Sequence, residues 1–212
     1  ANGNPQMNLS QDGHLSSGVP GTVAGLFECM KYAKLPFKKL VQPAIDLAEN
    51  GFAISSGEAR NLNNTKNDFI KNNTKVPVFV KQAGWKAGDT LVQKDLARTL
   101  KRIRDFGAKG FYEGETAKLI AAEMRHGHGI ISEDDLKNYK AKNREPIVFD
   151  YKGNTVVTMP LPSSGGIILE QMLKMGEFKN LGDMKFETAQ SVQLMTEIER
   201  RAFADRAKFL GD

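Results

Sequence analysis

The stretch VVTMPLPSSGGIILEQMLKM, residues 156–175, decides how this chain is read. A β-branched run ends at Met159. A proline-bearing turn follows, and Ser163, Ser164, Gly165 and Gly166 lead into a helix presenting Ile168, Met172 and Met175 on one face. Either serine hydroxyl suits the cap of that helix, and the two glycines let another backbone come close. The free N–H groups of a helix start also suit a carboxylate or an oxyanion. A structural corner and the wall of a ligand site are therefore both open readings. A nucleophilic role for Ser163 or Ser164 is not supported, because the G-x-S-x-G spacing is absent and no base accompanies them by pattern. The lysine of a phosphate-binding loop is missing too.

Working outward, PIVFDYKGNTVVTMP predicts a β-hairpin, with strands at 147–151 and 155–159 around a Lys-Gly-Asn turn. Two short strands make a poor sheet alone, so the hairpin calls for partner strands. Beyond the corner, residues 188–212 predict a long helix with Val192, Met195, Ile198, Ala202 and Phe209 inward. The earlier part is helical. In GVPGTVAGLFECM a tight turn at 18–21 precedes a helix capped by Thr22. In PFKKLVQPAIDLAENGF, Leu40, Val41, Ala44, Leu47 and Ala48 recur at helical spacing up to Gly51, with Pro43 marking a kink or a first turn. Capping boxes are expected at Ser55/Glu58, Thr90/Gln93 and Ser132/Asp135. The second of these would start a helix with Leu96, Leu100, Ile103 and Phe106 inward. A further helix carries Ala117, Ile120, Ala121 and Met124. The Asn- and Lys-rich residues 61–75 read as an exposed excursion, and VPVFV with WKAGDTLV as a small extended region.

The 212 residues suffice for a real core, and the 40% hydrophobic and 26% charged composition is that of a globular protein. No run of 18 apolar residues and no signal peptide is present, and a processed secreted protein would look the same. The net charge of +5 is spread along the chain. Its densest basic run, RTLKRIRDF, reads as a solvated helix face and not as a nucleic-acid footprint. The single cysteine, Cys29, excludes an intrachain disulfide and reads as a buried structural thiol. His126 and His128, in RHGHG, read as a helix end and not as a metal pair; His14 stands apart. Asn8, Asn63 and Asn72 match the short glycosylation pattern. From the residues, no catalytic, cofactor-binding or metal position is assigned, and no cofactor is expected.

Six stretches taken in order resemble the gamma-glutamyltranspeptidase family: GHLSSGVPGTVAGL (13–26), LVQPAIDLAENGF (40–52), GDTLVQKDLARTL (88–100), GFYEGE (110–115), MPLPSSGG (159–166) and AFADRAKFLGD (202–212). One departure is Leu161, where the family often has a third proline. The resemblance implies an α+β class: a mostly helical piece with a β-hairpin, part of the four-layer αββα sandwich of N-terminal nucleophile hydrolases. It implies that residues 1–212 are the later part of a large subunit, helical over 20–145 and with hairpin and helices over 146–212. The partner would be the small subunit of the same proenzyme, which carries the nucleophilic threonine and the oxyanion groups. The substrates would be small gamma-glutamyl compounds such as glutathione, passed through an acyl-threonine to water, amino acids or dipeptides. The place would be periplasmic or secreted, and this chain would be inactive alone. A related glutaryl-cephalosporin acylase and a non-catalytic helical interaction domain are the alternatives.

Overall fold

The computed structural model describes residues 9–210. It is mostly helical, with two small antiparallel two-stranded sheets, and is α+β. The chain divides into two compact units, with the boundary between Lys142 and Asn143. Among the described residues no helix is long and apolar enough to cross a membrane.

The first unit contains α1 (Thr22–Cys29), α2 (Phe37–Asn50), β1 (Phe52–Ala53), α3 (Ser56–Asn64), α4 (Lys66–Asn72), β2 (Thr90–Leu91), α5 (Lys94–Phe106), α6 (Lys109–Tyr112), α7 (Gly114–His126) and α8 (Glu133–Asn138). Gly51, at φ 83°, stops α2 and turns the chain into β1. Phe52 then pairs with Leu91 and Ala53 with Thr90. Pro43 lies in the interior of α2 and not in its first turn. The capping boxes at Ser55/Glu58 and Ser132/Asp135 form as expected. One part of the core gathers Tyr112, Ala117, Ile131 and Leu136; another gathers Ile54, Ala59 and Leu91, with Phe79 and Trp85 against them.

Several expectations fail here, each for a tertiary reason. Thr90 is no cap: it is drawn into β2, and α5 starts at Lys94 after Gln93, whose side chain makes no capping bond. The Gln93 N–H instead reaches the Ala48 carbonyl. Thr22 is the first residue of α1, with Gly21 at the cap position. The helix start is capped from afar. The Tyr112 hydroxyl accepts the Ala24 N–H at 3.1 Å and donates to the Pro20 carbonyl at 2.7 Å. A Cβ on Gly21 would lie 2.2 Å from the Tyr139 hydroxyl, so only glycine fits beneath that ring. Residues 18–21 form no tight turn, and Gly21 already has helical backbone angles. Residues 61–75 are largely helical, in α3 and α4, and Val78 and Phe79 of VPVFV form a turn.

The inward faces are also narrower than the periodicity suggests. On α2, Val41, Ile45 and Ala48 are buried, while Leu40 and Leu47 are exposed. On α5, Ala97 and Ile103 are buried, while Leu96 and Phe106 are exposed. Cys29 is exposed, because no described element covers that face of α1.

The second unit contains β3 (Ile147–Tyr151), β4 (Asn154–Thr158), α9 (Gly165–Phe178) and α10 (Ala189–Phe209). The hairpin turn is two residues, Lys152 and Gly153, at φ 51° and 75°. Both positive values are what the right-handed twist of a tight hairpin demands. The Lys152 N–H donates to Glu177 Oε1 at 2.9 Å, which pins the hairpin tip to α9 and holds the Glu177 carboxyl below its usual range. Lys174 binds the Asp150 carbonyl and lies over the buried Phe149 ring. On the other face of the hairpin, the cross-strand pair Val148 and Val157 is exposed. On α10, Ile198 and Ala202 are buried, whereas Val192, Met195 and Phe209 are exposed, against expectation.

Candidate functional site

The corner between β4 and α9 carries the serine and glycine pairs. Ser164 occupies the cap position with helical backbone angles, and its side chain makes no capping bond. The expected cap is therefore absent. Instead Ser164 Oγ accepts from Arg206 Nε of α10 at 3.0 Å. Ser163 Oγ lies at 3.4 Å from the Gly165 N–H, a long and weak contact. The glycines differ sharply. A Cβ on Gly165 would meet only Ser163 Oγ, at 3.5 Å, whereas a Cβ on Gly166 would lie 2.0 Å from the Met159 carbonyl oxygen. Gly166 is thus the point where the end of the hairpin passes directly over the helix. The Leu161–Pro162 peptide in this turn is cis.

Chemically the corner is quiet. A guanidinium donates hydrogen bonds and cannot take up a proton, so Arg206 is no general base for Ser164. The adjoining cleft, about 600 Å³, is lined by Arg144, Glu145, Ile147, Pro160, Leu161, Ile167 and Glu170. None of these is a serine, threonine, cysteine or histidine. The structure therefore makes the corner a braced crossing.

A second polar cluster lies in the first unit, and sequence reading misses it because its members are far apart in the chain. Glu123 Oε1 accepts from Thr74 Oγ1 at 2.6 Å and meets His14 Nε2 at 3.0 Å. The Thr74 hydroxyl, and after it His14, hold the Glu123 carboxyl below the ordinary carboxylate range. The His14 ring fills the space above Gly127, where any Cβ would lie 2.3 Å from it. A carboxylate already bearing two donors is a poor proton acceptor, so the cluster reads as a clasp joining residue 14, the 73–74 turn and α7. His126 ends α7, and His128 stands in the next turn at φ 60°. No group of three metal-ligating side chains occurs among the described residues. Asn63 engages Trp85 through its amide, donating to the carbonyl at 2.9 Å and accepting from the N–H at 2.7 Å. Asn8 lies outside the described residues.

Comparison with known proteins carries the identification. The gamma-glutamyltranspeptidase family model matches residues 1–212. The chain is similar to the glutathione hydrolase proenzyme of Escherichia coli (strain K12), 42% identical over 213 residues, covering 99% of this chain and 37% of that proenzyme. It is similar in structure to Helicobacter pylori gamma-glutamyltranspeptidase, with a TM-score of 0.93, 41% identity, and coverage of 99% of this chain and 61% of that one. Its identity to the Acylase ACY 1 proenzyme of Pseudomonas sp. (strain SE83) is lower, 33% over 198 residues, covering 92% of this chain and 35% of that proenzyme. The chain thus spans little more than a third of the length of the curated relatives it matches. A family match over every residue, with a backbone that superposes so closely, shows that the chain belongs to the gamma-glutamyltranspeptidase family of N-terminal nucleophile hydrolases.

Proposed function

We propose that these 212 residues are the later part of the large subunit of a gamma-glutamyltransferase and glutathione hydrolase. The observation that carries this is the whole-chain family match, combined with identity higher to a glutathione hydrolase proenzyme than to an acylase proenzyme. The parent enzyme cleaves the gamma-glutamyl amide of glutathione or its conjugates. It holds the glutamyl group as an ester on a threonine exposed by self-cleavage, and passes it to water, an amino acid or a dipeptide. That threonine and the oxyanion donors belong to the small subunit, the partner of this chain. The parent works in the periplasm or outside the cell. This chain supplies framework, with residues 20–145 as a helical part and 146–212 as hairpin and helices. Alone, this chain is inactive.

The test is turnover of a gamma-glutamyl anilide. The intact proenzyme, after processing, releases the aniline, and a glutaryl anilide serves as the acylase control. The 212-residue chain alone gives no turnover. Turnover by the isolated chain, or a processed enzyme that prefers the glutaryl compound, would sink the reading.

A further inference from the structure

Positive charge is concentrated on α5 and around the bend between α1 and α2, and the fold treats the two places differently. On α5 most of it is answered: Arg98 pairs with Asp95, Lys101 with Glu49 and Arg104 with Asp105. Residues 30–45 hold Lys31, Lys34, Lys38 and Lys39 and no acidic residue. All four lysines are exposed. Of these four, only Lys31 forms an ion pair among the described residues, with Glu28. Asp105, already bound by Arg104, also feels the charge of Lys38.

The four lysines surround a bend with a fixed base and an apolar tip. Phe27 of α1 and Phe37 of α2 meet with ring centroids 4.5 Å apart, which holds the base. At the tip, Tyr32 is 79% and Leu35 52% exposed. An ammonium group is rarely buried unless it is paired, so three unpaired lysines mark a surface left to solvent or to an anionic partner. The tip selects among anions. Tyrosine and leucine set between lysines suit the interface of a bilayer, where apolar side chains enter the acyl boundary and the cations meet headgroup phosphates. A nucleic acid would instead need open aromatic faces for its bases. Here Lys31 Nζ already lies over the Tyr32 ring, 5.3 Å from its centroid.

We propose that the α1–α2 bend docks the parent protein peripherally on an anionic lipid surface. The inference rests on the charge and shape of this bend and not on the activity proposed above.

The test is flotation of the intact, processed parent with vesicles. It binds vesicles of phosphatidylglycerol and phosphatidylcholine in equal parts, and does not bind phosphatidylcholine alone. Salt at about 0.5 M, where the Debye length is only about 4 Å, releases it. Each lysine near an anionic surface adds about fivefold to the partition. Lys34→Glu, Lys38→Glu and Lys39→Glu together therefore weaken binding about 100-fold or more. The same charge change at Lys71, Lys75 and Lys118 weakens it severalfold at most. Leu35→Ser keeps every charge and weakens binding about tenfold, through lost apolar contact alone. Urea midpoints close to that of wild type confirm that the variants are folded. Equal binding to both kinds of vesicle, or binding to neither, overturns the proposal. So do equal losses from the two triple variants, or a DNA oligonucleotide that displaces the vesicles from these lysines.

Discussion

Replacing Gly166 by alanine, with Gly165→Ala beside it, separates the two glycines of the corner. At Gly166 the new methyl would lie 2.0 Å from the Met159 oxygen, 3.0 Å from its carbonyl carbon and 3.1 Å from Thr158 Cγ2. Ordinary carbon–oxygen contact lies more than 1 Å further out, and the obstruction is backbone, so the end of β4 or the start of α9 must move. Overpacking of this kind costs about 2–4 kcal/mol. For a chain of this size that lowers Tm by roughly 5–15 °C. At Gly165 the nearest atom is Ser163 Oγ at 3.5 Å, an ordinary contact. Alanine there removes the entropic handicap of glycine in a helix, up to about 1 kcal/mol in favour of folding. Adjacent, chemically identical changes should therefore shift stability in opposite directions. Thermal and urea unfolding of the two variants measures it. Equal shifts, or a Gly166→Ala protein as stable as wild type, would refute the close crossing of Met159 over α9.

Tyr112→Phe strips the distant cap from α1, leaving the Ala24 N–H and the Pro20 carbonyl without their partner. A loss of about 1–3 kcal/mol is expected in urea unfolding, and an unchanged midpoint would mean that water replaces the hydroxyl without cost. Glu123→Gln tests the clasp through pH. A carboxyl whose folded pKa is depressed contributes stability that is fully present above its unfolded value and is lost as pH falls through the folded one. The stability gap between wild type and Glu123→Gln should therefore be widest near neutrality and close below about pH 4. A gap constant from pH 7 to pH 3 would show that the carboxylate charge plays no part.

What could be read from the chain was what short-range chemistry settles. Ser55 with Glu58, and Ser132 with Asp135, form their boxes because both partners sit within one helical turn. Thr90 has the same local signature, yet pairing with Ala53 captures it first. Which of two adjoining apolar rows on α2 turns inward depends on what packs there, and periodicity does not distinguish Leu40 from Val41. The same ignorance of neighbours misplaced Cys29. At the corner, SSGG announces a tight crossing, but not which glycine is obligatory nor that Arg206, 42 residues on, holds Ser164. The family was legible in ordered motifs, and at least two of them mark close approaches: GVPGTVAGL holds Gly21 under Tyr139, and MPLPSSGG holds Gly166 against Met159.

The hydroxyl of Tyr112 reaches partners 88 and 92 residues earlier in the chain. On a ribosome adding about 5–20 residues per second, α1 and the segment before it wait roughly 5–20 s before the tyrosine that fastens them exists. Throughout that interval the start of α1 lacks this cap, although Phe37 of α2, which meets Phe27, has already been made. The fastening of α1 is thus among the later events of this unit's assembly, because it waits for a residue about ninety positions further along the chain.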